Sequence, residues 1–148
     1  MSRIILTGDK ELQRLLESLP TKVANKLART ALRKAGKMVL ESARAKVPED
    51  SGALKKGLKV KALKRSRNRM GVVVEHPDRL TLAKLQPTAE KAREVYSGSG
   101  YYPAAVEYGA PHAPAQPHLR PALEDKKSEV IAEFRTELKA AVEAEKAK

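Results

Sequence analysis

Residues 106–123 read Val-Glu-Tyr-Gly-Ala-Pro-His-Ala-Pro-Ala-Gln-Pro-His-Leu-Arg-Pro-Ala-Leu, and they connect an apolar, strand-like run to an amphipathic segment. The strand-like run ends at Gly109, and a helical pattern begins at Leu119. Four prolines lie in this connection: Pro111, Pro114, Pro117 and Pro121. Proline fixes φ and removes an amide donor, so it favours extended, polyproline-like backbone. The stretch therefore predicts a rigid loop that leads into a C-terminal helix.

The segment after this loop has the period of a helix that is buried on one side. Apolar residues recur at steps of three, four or seven, namely at Leu119, Leu123, Val130, Phe134, Leu138 and Ala141. This spacing places them along one face of a long helix. Residues 143–148 carry no apolar anchor beyond that face, and we expect this tail to fray.

The N-terminal part of the chain predicts a short strand and two helices. Residues 3–7 are apolar and β-branched, as in a strand, and residues 10–18 carry leucines at helical spacing. A longer helix is predicted from Thr21 to about Lys46, because Pro48 disfavours helical backbone just before it. Its apolar face contains many alanines, which allow another helix to approach closely.

The middle of the chain predicts a small antiparallel sheet. Residues 57–63 alternate between apolar and basic side chains, and residues 71–75 are rich in valine, so the two runs predict a hairpin. Residues 101–108 predict a third strand. Residues 77–100 are interpreted as a flexible insertion with a short helix near 88–96.

Together these elements predict one α+β domain over residues 1–148, with its core at about 10–142. In this fold class a small antiparallel sheet packs against two long helices, with a rigid Pro-rich loop before the C-terminal helix.

Composition narrows the functional classes. Only 3% of the 148 residues are aromatic, which indicates a thin core. The net charge of +12 indicates an acidic partner or nucleic acid, although a soluble basic surface is the alternative. A thin core raises the expectation of an oligomer. The chain has no cysteine, no apolar run near the ~20 residues that a membrane span needs, and no signal-peptide pattern at its start. We therefore expect no membrane association and assembly in a cytoplasm.

No catalytic or cofactor motif is present, so the chain is predicted to be a non-enzyme without cofactor. His112 and His118 lie in the Pro-rich loop and His76 lies elsewhere, but no acidic residue in that loop completes a metal set. No metal site is therefore predicted. Glu107 is interpreted as the partner of Arg120 or of a neighbouring subunit's cation.

The predicted hairpin and the residues just before it carry eight cations: Lys55, Lys56, Lys59, Lys61, Lys64, Arg65, Arg67 and Arg69. They could contact nucleic acid through its phosphates or could face an acidic protein. The hairpin lacks aromatic residues that stack on single-stranded bases. A solvated strand face remains an equally good interpretation.

The chain resembles the tail-completion (neck, head–tail joining) proteins of long-tailed, non-contractile bacteriophages. The resemblance rests on Val106-Glu107-Tyr108-Gly109 and on Pro114-Ala-Gln-Pro-His-Leu-Arg-Pro-Ala-Leu123, which is similar to the family's PAQPFLRPAL motif. A second motif, residues 47–54 (Val-Pro-Glu-Asp-Ser-Gly-Ala-Leu), is similar to its P-x-D-T/S-G-x-L turn. His118 stands where the family usually has an aromatic residue.

The resemblance implies a virion structural protein of the neck, assembled in the host cytoplasm. It would form a homo-oligomeric ring, with six subunits as the expected number, between the head connector and the tail terminator or tail tube. DNA would pass through its lumen. The implied subunit interface consists of Val106, Glu107, Tyr108, Gly109, Pro114, Gln116, Pro117, His118, Leu119, Arg120 and Pro121. The alternative is a basic nucleic-acid-binding protein that uses the 55–69 hairpin.

Overall fold

A computed structural model describes residues 10–50, 52–64, 70–97 and 102–148. In these ranges the elements follow in the order α1 (Lys10–Glu17), α2 (Thr21–Lys46), α3 (Ala53–Gly57), β1 (Lys59–Ala62), β2 (Val72–Glu75), α4 (Arg79–Lys84), α5 (Ala89–Ser97), α6 (Pro103–Tyr108) and α7 (Leu119–Lys146). The predicted α+β class is confirmed. The strand predicted at residues 3–7 lies outside the described residues.

Helices α2 and α7 pack along each other more extensively than any other pair of described elements. Small residues make this possible, because Ala43 of α2 and Ala122 of α7 are both fully buried. The main core cluster joins them to larger side chains, namely Val39, Leu40, Val47, Leu54 and Leu58. A second cluster at the other end holds Leu12 of α1 against Ala31, Leu138 and Val142. The two long helices predicted from periodicity are thus the frame of the domain.

The hairpin packs on α2. Strands β1 and β2 are antiparallel, with Lys59 opposite Glu75 and Ala62 opposite Val72. Gly36 lies where the sheet meets the helix, because a Cβ atom there would stand 3.0 Å from Val72 Cγ2 and 3.2 Å from Val60 Cγ1. A glycine in mid-helix lowers helix propensity, and here its missing side chain lets the sheet approach α2.

Residues 79–97 form two helices with a small core of their own. Leu82 is fully buried and clusters with Ala53, Ala83 and Val95. Asp78 caps α4 by accepting hydrogen bonds from the Thr81 backbone N–H and hydroxyl, both at 2.9 Å. These bonds hold the pKa of Asp78 at about 2. Helix α4 was not predicted from the sequence, because Leu80 and Leu82 are its only strongly apolar residues and their spacing of two is not helical. The flexibility of residues 77–100 stays a prediction.

The third strand predicted at residues 101–108 is wrong: residues Pro103–Tyr108 form helix α6, so the sheet has two strands in the described ranges. Pro103 occupies the first turn of the helix, where its missing amide donor costs nothing. Ala104 and Ala105 follow it and are strong helix formers. Helix α7 extends to Lys146, which includes most of the tail that we expected to fray.

Replacing Leu82 by Ala should lower the free energy of unfolding by about 2–5 kcal/mol, because it removes a fully buried side chain and leaves a cavity. Leu80→Ala in the same helix is the matched control, since Leu80 is 54% exposed and its loss should change stability by about 0.5 kcal/mol or less. Urea unfolding of both variants measures the difference. Equal effects of the two changes would show that residues 79–97 do not belong to the cooperative core.

Candidate functional site

Helix α6 ends in an exposed loop, defined here as residues 108–117. Tyr108 is 82% exposed, and every residue from Ala110 to Pro117 is exposed. The loop is closed at its base by the Gln116 N–H, which donates to the Val106 carbonyl at 2.7 Å, and at its tip by a bridge between Ala110 and Ala113. The loop therefore folds back on itself and returns to the helix from which it departs.

Gly109 makes the first turn of this loop possible. Its φ is +84°, a left-handed conformation that is strained for other residues. A Cβ atom at this position would also stand 3.1 Å from the Ala115 nitrogen of the returning strand of the loop. Glycine is therefore required at this position, both for the left-handed backbone conformation and for the close approach of Ala115.

The exposed loop carries no charged residue, although 32% of the whole chain is Asp, Glu, Lys or Arg. Its sequence is Tyr-Gly-Ala-Pro-His-Ala-Pro-Ala-Gln-Pro. Surfaces that contact water only are normally rich in charge, whereas the centres of protein interfaces are depleted of it. The loop therefore has the composition of an interface.

Glu107 fixes the loop to α7. Its side chain is buried, and its carboxylate accepts the backbone N–H groups of His118, Leu119 and Arg120 at 2.9, 3.1 and 3.2 Å. The first amides of a helix have no partner within the helix, and they carry partial positive charge. The Glu107 carboxylate of α6 thus caps the N-terminus of α7.

The pKa of Glu107 reflects two opposing effects. Burial raises the pKa, but the three backbone hydrogen bonds and the nearby His118 together outweigh it and hold the pKa below its ordinary value. Glu107 is therefore an anion in the folded protein at neutral pH. Its charge is balanced by the N-terminus of α7.

Two histidines extend this cluster. His118 is fully buried, and its Nδ1 lies 3.1 Å from Glu107 Oε2. Its Nε2 lies 2.9 Å from Nε2 of His76, which follows β2 directly. Burial lowers the pKa of His76 below its ordinary value, and His118 lowers it further, although Glu107 opposes this. The cluster therefore links the end of the hairpin, α6 and the start of α7.

The sequence drew attention to these residues but did not predict that they contact one another. Glu107 does not pair with the Arg120 side chain as predicted: it binds the Arg120 backbone N–H, and the Arg120 guanidinium pairs with Glu124 at 3.0 Å. The acidic residue that seemed to be missing beside the histidines is Glu107, which comes from α6 rather than from the loop. His112, grouped with them in the sequence, is exposed on the loop.

The residues predicted as a subunit interface fall into three groups by exposure. Those exposed are Tyr108, Pro114, Gln116, Pro117 and Arg120; those partly buried are Val106, Gly109, Leu119 and Pro121; those buried are Glu107 and His118. The side chains of Glu107 and His118 bind within the subunit. The side chains of the exposed group are therefore accessible to solvent.

The basic residues are less concentrated than the sequence indicated. Lys55 and Lys56 lie on α3 rather than on the hairpin, and Arg65, Arg67 and Arg69 lie outside the described residues. Acidic residues lie against three of the lysines: Lys55 contacts Glu49, Lys59 contacts Glu75 and Asp78, and Lys61 contacts Glu75. This pairing reduces the positive field that a phosphate backbone would meet. Lys56 and Lys64 are exposed.

A model of the family described as "Bacteriophage HK97-gp10, putative tail-component" matches residues 10–113. The chain belongs to this family. The match covers more than half of the chain and includes α1 to α6, with Glu107 and the first part of the exposed loop. No curated protein and no solved structure matches the chain.

Membership in this family makes the chain a bacteriophage tail component, which is a structural role in the virion. The coarse form of the sequence-based prediction is therefore confirmed. The motif at residues 114–123 lies beyond the matched range, whereas Val106-Glu107-Tyr108-Gly109 lies inside it. Among the helices of the described ranges, none has the length and apolar character that spanning a membrane requires.

Replacing Glu107 by Ala should lower the free energy of unfolding by about 1–3 kcal/mol, because the buried N–H of His118 and the partly buried N–H groups of Leu119 and Arg120 lose their acceptor. Glu107→Gln retains one oxygen acceptor and should cost less. Glu124→Ala is the control, since it removes an ion pair between two exposed side chains, which contributes little to stability. Chemical denaturation compares the three variants, and an equal loss for Glu107→Ala and Glu124→Ala would rule out the capping role.

Proposed function

We propose that this tail component is a neck, or tail-completion, protein that joins the head connector to the tail tube as a ring of identical subunits. The observation that carries the proposal is the exposed loop, which offers an uncharged and preformed surface on a strongly charged chain. Its similarity to the motif of the tail-completion proteins supports the same placement.

The loop suits a contact between subunits because its shape is set before binding. Association loses affinity when flexible loops must be ordered. Here Gly109 sets the turn, Gln116 closes the base through the Val106 carbonyl, and Glu107 anchors the adjoining start of α7. Pro111, Pro114 and Pro117 restrict the remaining backbone. A neighbour therefore meets a surface that needs little rearrangement.

A ring follows if the exposed loop of one subunit binds a different surface of the next. Such a head-to-tail contact closes into a ring when the rotation between subunits closes. Six subunits are the expected number on the strength of the family resemblance, and DNA would pass through the lumen. Such a ring acts without turnover and without cofactor.

The cations are proposed to face an acidic neighbouring ring rather than the lumen. Lysines that line a DNA passage would bind phosphate and slow transit. Several of them are already engaged by Glu49, Glu75 and Asp78, which leaves Lys56 and Lys64 as exposed cations of the described part of this region. An acidic protein rim is a suitable partner for these.

Cryo-electron microscopy of the purified virion tests the placement. The expected result is density for this chain as a ring at the junction of head and tail. Density at the distal tip of the tail, or absence of the chain from infectious particles, would refute the neck assignment.

Replacing Tyr108 by Ala should block joining of heads to tails while the chain still folds, because Tyr108 is 82% exposed and contributes little to the core. Tyr96→Ala is the matched control, since Tyr96 is also an exposed tyrosine on a helix, at 64%, and lies outside the exposed loop. Electron microscopy of lysates from complemented mutant phage counts joined and separate heads and tails.

We expect Tyr108→Ala to lower the fraction of joined particles at least about tenfold, which corresponds to a loss of about 1.4 kcal/mol in the contact. Tyr96→Ala should leave the fraction unchanged. Joined particles at the wild-type level with Tyr108→Ala would count against the loop as the subunit contact. Circular dichroism of both variants confirms that the comparison is between folded proteins.

A further inference from the structure

We propose that His76 and His118 bind a divalent transition metal ion of the zinc class, with Glu107 holding His118 in position. The inference does not depend on the neck assignment, because it concerns a site within one subunit. The three residues come from three elements, and one ligand-capable atom of each lies within 4.8 Å of the others. Two imidazole ligands favour zinc-class ions over magnesium or calcium, which prefer oxygen ligands.

The spacing of the two imidazoles fits a shared ion. His76 Nε2 and His118 Nε2 are 2.9 Å apart, and the ring centroids are 5.0 Å apart with planes inclined at 59°. Two zinc–nitrogen bonds of about 2.0–2.1 Å at a tetrahedral angle separate the nitrogens by roughly 3.3 Å. A separation of the rings by a few tenths of an ångström therefore admits the ion between them.

The hydrogen bonds around His118 direct its Nε2 lone pair at this position. Nδ1 of His118 lies 3.4 Å from the Gln116 carbonyl oxygen, its hydrogen-bond partner, and 3.1 Å from Glu107 Oε2. A carbonyl oxygen can only accept, so Nδ1 carries the hydrogen and the neutral ring has its lone pair on Nε2, which faces His76. Metal-binding histidines in proteins commonly direct their other N–H at a backbone carbonyl or a carboxylate.

The site has a buried side and an accessible side. His118 is fully buried and Glu107 is 5% exposed, whereas His76 is partly exposed after β2. An ion would therefore enter past His76. Water would complete its coordination on this accessible side.

The same residues can also be satisfied without metal. In that case the His76 Nε2–H donates to His118 Nε2, and the His118 Nδ1–H donates to the Gln116 carbonyl. A bound ion would replace the hydrogen bond between the two rings with two coordinate bonds, and His76 would then carry its hydrogen on Nδ1 instead of Nε2. The ion would thereby connect the end of the hairpin to the first residues of α7, beside the base of the exposed loop.

The test uses the full chain after treatment with EDTA and dialysis. Calorimetric titration with ZnCl2 should give one ion per chain, and titration with MgCl2 should give none. Zinc at about one hundred times its dissociation constant should raise the melting temperature by on the order of 5–10 °C. Cobalt(II) in place of zinc should show visible absorption typical of nitrogen coordination.

His76→Gln removes one ligand but keeps a side-chain N–H donor toward His118, so it should fold and should lose zinc binding and the cobalt absorption. His112→Gln is the matched control, because His112 is exposed on the loop, and it should bind zinc as the wild type does. No zinc binding by the wild type would overturn the proposal in favour of the hydrogen-bonded pair. Equal binding by His76→Gln and the wild type, or loss of binding in His112→Gln, would also overturn it.

Discussion

The carboxylate of Glu107 at the N-terminus of α7 is the interaction on which the arrangement of the C-terminal half depends. It satisfies amides that α7 cannot satisfy itself, and it comes from the helix on the other side of the exposed loop. Because one side chain holds both ends of the loop, the separation of α6 and α7 is fixed. His118 and His76 extend the same contact to the hairpin.

This arrangement also compensates for the small core. With 3% aromatic residues, the chain has few large side chains to bury, and its helices approach through alanine and glycine instead. Close approach of α2 and α7 at Ala43 and Ala122, and of the sheet to α2 at Gly36, gives many short contacts from small side chains. Contacts of this kind form only at one distance between the packed elements. A polar cluster that sets this distance therefore adds to the stability that packing alone provides.

The sequence predicted those parts of the fold whose pattern is long and local. Helices α2 and α7 repeat their apolar residues over many turns, and the hairpin alternates clearly around residues 57–75. The elements that were predicted wrongly or missed are short ones. Six residues starting at Pro103 do not distinguish a strand from a helix by alternation, and two leucines do not reveal α4.

The sequence drew attention to the residues of the cluster but did not predict the contacts between them. Glu107, His118 and Arg120 were singled out because they lie in an unusual stretch, but a contact across the loop from Glu107 to three backbone amides has no sequence signal. The contact of His76 with His118 spans 42 positions, and it forms because α2 packs against both the hairpin and α7. The ion pairs of Lys59 with Glu75 and Asp78 also have no sequence signal, because they form only when the chain folds.

The absence of charge from the exposed loop has a consequence for the medium in which the protein works. Salt weakens interactions between exposed charges, which fall off over about 10 Å at 0.1 M, but it has little effect on apolar and backbone contacts. A joint made through residues 108–117 keeps its strength when a particle passes from a concentrated host interior to a dilute environment. Contacts made through exposed lysines would instead change with every such passage.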